Sequence, residues 1–294
     1  MIYSIENEFI KISVDTNGAQ LMSYYSKKTN TEYLWQGEPE FWTGRAYNLF
    51  PVIGRMVDGI YTYKGKTYSI RAHGIARYYE FTLEECSDNK IAMVLKDNED
   101  TFKEYPFHFT FRVIFTIDGY ALKTTYEVKN HGDDTLISSF GGHPGINIPF
   151  EKGKGEFEDY YLEFSKPTQT KRQLLWERTF MAEKSEPFEL VDGKKIPLYH
   201  ELFVDDAVIL ENTSYCVSVK SKTDPRYVTM HYEDFPFIGF WQTDKPGAPY
   251  VCLEPWGSLP ATAHTVTDLE TKKYMSHVAP NETASASFTM EIHE

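Results

Sequence analysis

The chain has 294 residues, 41% of them hydrophobic and 25% charged, the make-up of a globular protein with ample length for a sizeable core. A formal net charge of −13 repels phosphate backbones and argues against nucleic acid as a partner. No apolar run approaches a membrane span, and the three cysteines, Cys86, Cys216 and Cys252, fit neither a zinc spacing nor a disulfide framework.

Taken in chain order, the segments read as strands. The N-terminal "MIYSIENEFIKISVDTNG" alternates polar and apolar residues, with no basic n-region and no long apolar run, so no secretory signal is visible. With the cysteines as small core residues in a reducing compartment, the expected location is the cytoplasm. "GIYTYKGKTYSI" predicts two short strands around Lys64-Gly65-Lys66. "YEFTLEEC" predicts a strand that turns at Ser87-Asp88-Asn89 into "KIAMVLKD". "FHFTFRVIFTI" and "YALKTTYEVKN" predict a long hairpin through Asp118-Gly119, and "YCVSVKS", "YVTMHYE" and "FIGFWQT" repeat the pattern. Residues 151–200 read as irregular and loop-rich. "TDLETKKYMSH" has room for a short helix, but no segment carries a 3.6-residue apolar stripe over three turns.

Aromatic content of 16% suits pleated, half-buried surfaces. Many strands with closely spaced turn signals, no linker and no fixed repeat predict an all-β protein. The expectation is one large single-domain β-sandwich over residues 1–294.

Four segments place polar groups among glycines and prolines. "NLFPVIGRMVDG" carries Arg55, "IRAHGIAR" carries His73 between Arg71 and Arg77, "SSFGGHPGINIPF" carries His143, and "YVCLEPWGSLP" carries Glu254. Pro144 biases His143 away from helix, which predicts a ring held at a strand end. Glu254 follows an apolar run, and Pro255 predicts that the strand stops or turns there. A carboxylate beside Trp256 at such a place is partly desolvated, which raises its pKa and suits a general base. Singly, each residue has a plain structural alternative: a turn histidine, a glutamate at a sheet edge, an arginine paired at the surface, and Asp205 or Asp206 of "LFVDDAVIL" as a turn or cap. Trp35, Trp42 and Trp241 read singly as core. Together, two histidines, a glutamate and an arginine make an acid–base set. No serine elbow, Cys/His pair, "HExxH", "GxGxxG" or P-loop stands beside them. Acid–base groups in an aromatic-rich β cleft point to a carbohydrate.

The ordered motifs "FPVIGR", "AHGIAR", "GGHPGIN" and "CLEPW" resemble those of the aldose 1-epimerase, or galactose mutarotase-like, family and within it the LacX-like branch. The likeness runs from "EYLWQGEPEFW" to "FTMEI". It implies a β supersandwich with a sugar cleft on one face. By resemblance, Glu254 is the general base, His143 the acid that protonates the ring oxygen, His73 the second active-site histidine and Arg55 the holder of substrate hydroxyls. Asp206 is the best match to a substrate-binding aspartate, although "VDDA" leaves Asp205 open. Three positions depart from the branch pattern: Ile75 in place of an aromatic, Gly145 in place of a bulky residue, and no acidic residue near Pro260. The implied activity is mutarotation of a hexose through ring opening, with no metal and no cofactor. The expected partner is a small-molecule sugar, and the expected assembly is a monomer or, since exposed sheet edges can pair, a homodimer. Two alternatives stand: a hexose-6-phosphate 1-epimerase that meets phosphate with Arg71 and Arg77, and a carbohydrate-binding or regulatory protein without turnover.

Overall fold

Period-2 alternation becomes two large sheets packed face to face in the computed structural model, which describes residues 1–294. The nine-stranded sheet is antiparallel throughout, and the hairpin Phe109–Asp118 and Ala121–Asn130 forms its middle, with Thr283–His293 alongside. The seven-stranded sheet has the spatial order Phe180–Pro187, Lys171–Trp176, Val208–Glu211, Phe237–Trp241, Tyr250–Trp256, Gly141–Asn147, Ala46–Leu49. A four-stranded N-terminal sheet and smaller ribbons cover the flanks. The all-β sandwich expected from the sequence is the fold observed.

The core lies between the two large sheets. A contiguous apolar cluster runs from Ile5 to Ile292, so both ends of the chain are tied into one interior. Phe164 of the nine-stranded sheet meets Phe240 of the seven-stranded one with centroids 6.3 Å apart. Phe50 stacks on Phe111 at 4.2 Å and 8°. Truncating a fully buried ring of this kind costs about 3–5 kcal/mol.

The strands Phe237–Trp241, Tyr250–Trp256 and Gly141–Asn147 of the seven-stranded sheet are buried on both faces, and this positions the site. In Tyr250–Trp256 every residue is buried. Val251 and Leu253 join the inter-sheet core, whereas Tyr250, Cys252 and Trp256 belong to two small apolar clusters on the outer face. The same alternation divides Gly141–Asn147. A Cβ on Gly142 would stand 2.8 Å from Phe288 of the nine-stranded sheet, so that position faces inward. His143, the next residue, therefore faces out.

Several expectations are corrected. Residues 151–200 are not merely loop-rich: Tyr160–Phe164, Lys171–Trp176, Phe180–Pro187 and Lys195–Pro197 are strands. The "TDLETKKYMSH" segment forms no helix. Thr267–Asp268 pairs in parallel with Ile60–Tyr63, and Asp268 Oδ1 accepts from the Glu270 amide to turn the chain. The α-helix lies instead at Glu99–Glu104, too short for a periodic signal and started by Asn98, whose side chain accepts from the amides of Asp100 and Thr101. The strand at Glu254 does not stop at Pro255 but runs to Trp256. No helix is long and apolar enough to cross a membrane.

Candidate active site

The strand continues through Pro255 because the neighbouring ladder is open there. Gly141 pairs with Trp256 and Gly145 with Cys252, and between these rungs no pairing is made. Pro144 and Pro255 both lie in that gap, and neither has an amide to donate. The register across it sets His143 opposite Glu254, so both side chains leave the same face. His143 Nε2 stands 3.3 Å from Glu254 Oε2, and the two side chains are 8% and 1% exposed.

Burial governs the protons on this pair. Desolvation pushes the Glu254 carboxyl well above the usual carboxylate range, and the charge of Asp206 adds to the rise while the Trp256 indole opposes it. Desolvation pushes His143 well down, helped by His73 and Arg77. Both shifts favour the neutral pair, carboxylic acid beside imidazole, and moving that one proton from Glu254 to His143 gives carboxylate and imidazolium. Trp42 lies over His143 with centroids 4.8 Å apart and planes at 27°, and Trp241 meets its edge at 5.4 Å. Gly145 permits this cover, since a Cβ there would stand 2.9 Å from Trp35 Cβ and 3.3 Å from the Trp42 ring. The departure from a bulky residue at 145 is thus a packing requirement.

His73 reaches the same cleft from a strained turn. Its φ is 64°, and Gly74 follows at 82°. A Cβ on Gly74 would collide with the Phe50 carbonyl. The Gly54 amide donates to His73 Nδ1 at 3.3 Å, which leaves the neutral ring's proton on Nε2 as a donor. Desolvation first, then the charges of Arg77 and Arg55, push His73 down to about 3. Ile75 is fully buried in the inter-sheet core, so its replacement of an aromatic does not alter the cleft wall. Pro260 packs against Gly54, and a Cβ there would meet Pro260 Cγ at 2.5 Å. Near where an acidic residue was expected, Pro260 thus lines the cleft as an apolar wall.

The cleft encloses about 290 Å³, and Arg55, His73, His143, Asp206 and Glu254 all line it. Five residues spread over 200 positions are brought to one place. Of the two aspartates in "VDDA", Asp206 lines the cleft, with φ 74°, whereas Asp205 is exposed and outside it. Burial raises the Asp206 carboxyl, opposed by Arg178. Arg71 does not belong to the site. It pairs with Glu104 at 3.0 Å and lies over Tyr78, outside the cleft lining.

Sequence reasoning missed other members. Trp42 and Trp241, read as core, are half-buried and face the cleft, whereas Trp35 is core. Of the two arginines that the sequence offered as a phosphate contact, Arg77, 3.6 Å over the Tyr47 ring, reaches the cleft and Arg71 does not. Arg178 sits at the tip of the hairpin Lys171–Trp176 and Phe180–Pro187, where Glu177 and Arg178 both have positive φ, 48° and 63°. That turn normally announces itself by Asn or Gly, and "WERTF" has neither. Cys252 also lies beside His143 and Glu254, a cysteine–histidine neighbourhood that no spacing in the sequence signalled.

The family model described as Aldose 1-epimerase matches residues 1–265 of this double-sheet β sandwich. The chain belongs to the aldose 1-epimerase family. It is similar to the chromosomal protein LacX of Lactococcus lactis subsp. lactis, with 32% identity and 99% of each chain covered. Among solved structures it is similar to a galactose mutarotase related enzyme from Lactobacillus acidophilus, with 36% identity, a TM-score of 0.94 and coverage of 100% and 98%. A galactose mutarotase-like protein from Lactobacillus casei aligns at 30% identity and TM-score 0.92 over the whole of both chains.

Proposed function

We propose that the protein is an aldose 1-epimerase that interconverts the α and β anomers of a hexose. Glu254, as carboxylate, takes the proton of the anomeric hydroxyl, and His143, as imidazolium, gives one to the ring oxygen. The C1–O5 bond breaks, the open-chain aldehyde rotates about C1–C2, and the reverse transfers close the ring with either face presented. One proton enters as one leaves, so the chain needs only the single movable proton that the pair holds. The two reacting oxygens share one carbon, so their acid and base must reach the same small volume. The 3.3 Å approach of His143 and Glu254 on a cleft floor is the observation that carries the reading.

The other groups suit a pyranose. The half-buried rings of Trp42 and Trp241 offer apolar faces for C–H groups of a sugar. Asp206 and the Nε2–H of His73 are an acceptor and a donor for hydroxyls. The test is anomer interconversion followed by polarimetry or NMR, starting from pure α-glucose and α-galactose. Acceleration over buffer supports the reading. Binding of sugar without acceleration would instead mark a sugar-binding protein.

A second reading has its own observation. Arg55, Arg77 and Arg178 all line the one cleft, a concentration of positive charge in a chain of net charge −13. Guanidinium groups favour a phosphate on the sugar. A kcat/KM higher for glucose 6-phosphate than for glucose, and lost in Arg178→Ala, would select this substrate.

A further inference from the structure

Cys252 has no part in the acid–base scheme; it is fully buried beneath the cleft, in the apolar cluster of Trp35, Ala248 and Tyr250. It precedes Glu254 by two residues on one strand, so both side chains leave the same face. The donor atoms of His143, Cys252 and Glu254 all lie within 4.8 Å of one another, and all three residues are buried. An independent feature points to a missing ligand. Glu254 is 1% exposed and its Oε2 has no hydrogen-bond partner, because the approach of His143 Nε2 is not aligned for one. A buried, unpartnered carboxylate oxygen is costly to leave unmatched.

We propose that these three side chains form a binding site for a borderline-soft divalent cation, Zn²⁺, with an open fourth position toward the cleft. Nitrogen, thiolate and carboxylate donors together select Zn²⁺ over the oxygen-seeking Mg²⁺ and Ca²⁺. At the widest spacing of 4.8 Å, a central ion stands about 2.8 Å from each donor, so movements of about 0.5–0.8 Å reach zinc bond lengths of about 2.0–2.3 Å. Small rotations of the Glu254 and Cys252 side chains supply movements of that size. Three protein ligands with one open position is the arrangement of an accessible rather than a structural zinc site. Because the ion takes the lone pairs of His143 and Glu254, its binding silences proton transfer; this consequence rests on the mutarotase reading, whereas binding itself does not.

Co²⁺ serves as the spectroscopic probe, titrated into full-length protein carrying Cys86→Ser and Cys216→Ser, so that Cys252 is the only thiol. The expected result is a thiolate-to-cobalt charge-transfer band that saturates at one ion per chain and is displaced by Zn²⁺. Cys252→Ser and Cys252→Ala abolish the band, and two replacements guard against a fold defect in either. Both retain basal turnover, and Zn²⁺ inhibits them at concentrations at least tenfold higher than the parent. No band in the parent, or a band that survives loss of Cys252, overturns the site. The band is read without sugar, so a protein that binds cobalt this way but does not accelerate mutarotation refutes the proposed function and leaves the site standing.

Discussion

Glu254 and His143 face each other across a gap in the sheet, and each is followed by a proline that has no amide to close it. The gap gives the two side chains a common outlet, and the strands on either side fix their separation. On the proposed mechanism, Glu254→Gln and His143→Asn each slow anomer interconversion by roughly 10²–10⁴-fold. The double variant falls little further, because the pair acts as a unit. Polarimetric kcat/KM values check this, and additive losses would refute the unit. Gln resembles the protonated carboxyl that burial favours at 254. Thermal unfolding of that variant should therefore match the parent at acidic pH. A carboxyl raised on folding stabilises below its unfolded pKa and loses that contribution as pH rises, so the Gln variant gains on the parent toward alkaline pH.

The second prediction concerns stability and His73. Its folded value, about 3, lies below the ordinary 6.5. In that window the unfolded chain binds a proton that the folded chain does not. The neutral ring thus contributes stability that is complete above 6.5 and lost as pH falls toward 3. Melting temperature measured between these limits should fall less steeply in His73→Asn than in the parent. Parallel curves would show that the ring is protonated in the folded state after all.

The third tests the cover over His143. Gly145→Ala introduces a Cβ 2.9 Å from Trp35 Cβ and 3.3 Å from the Trp42 ring. Overpacking of this kind costs about 1–3 kcal/mol. Because Trp42 stacks on His143, turnover should drop with stability. Denaturant unfolding and polarimetry on the same preparation check both, and an unchanged midpoint would contradict the packing argument.

The fourth separates two neighbouring arginines. Arg71 is tied to Glu104 at the surface, so Arg71→Ala should leave KM unchanged and cost under about 1 kcal/mol. Arg77 reaches the cleft, and losing a charged hydrogen bond to substrate should raise KM roughly tenfold or more in Arg77→Ala. Equal effects would mean that the cleft boundary is misplaced.

The sandwich was legible in the sequence because alternation survives in the nine-stranded sheet, where Phe109–Asp118 and Ala121–Asn130 pair in a single unbroken register. Alternation disappears in Tyr250–Trp256, buried on both faces, and there Pro255 read as a stop. A ladder gap depends on two strands at once, and neither strand announces it alone. The hairpin at Glu177 and Arg178 was hidden because its two exposed positive-φ positions carry neither Asn nor Gly. His73, His143, Arg55 and Glu254 were legible because glycine and proline mark places where backbone comes close to a site, whereas Asp206 was named as a site residue only through the family resemblance. Trp42, Trp241 and Cys252 carried no such mark; only the fold shows that the two tryptophans face the cleft and that Cys252 lies beneath it.

The floor of the cleft is made of inner strands whose reverse side is the inter-sheet core. Such strands exchange their amide hydrogens only when the whole molecule opens. Heat should therefore abolish turnover and cooperative structure at one temperature, with no inactive but folded stage before it. Substitutions in the arginine and tryptophan rim leave that core intact, while any shift of the floor must first re-solve the folding of the entire sandwich.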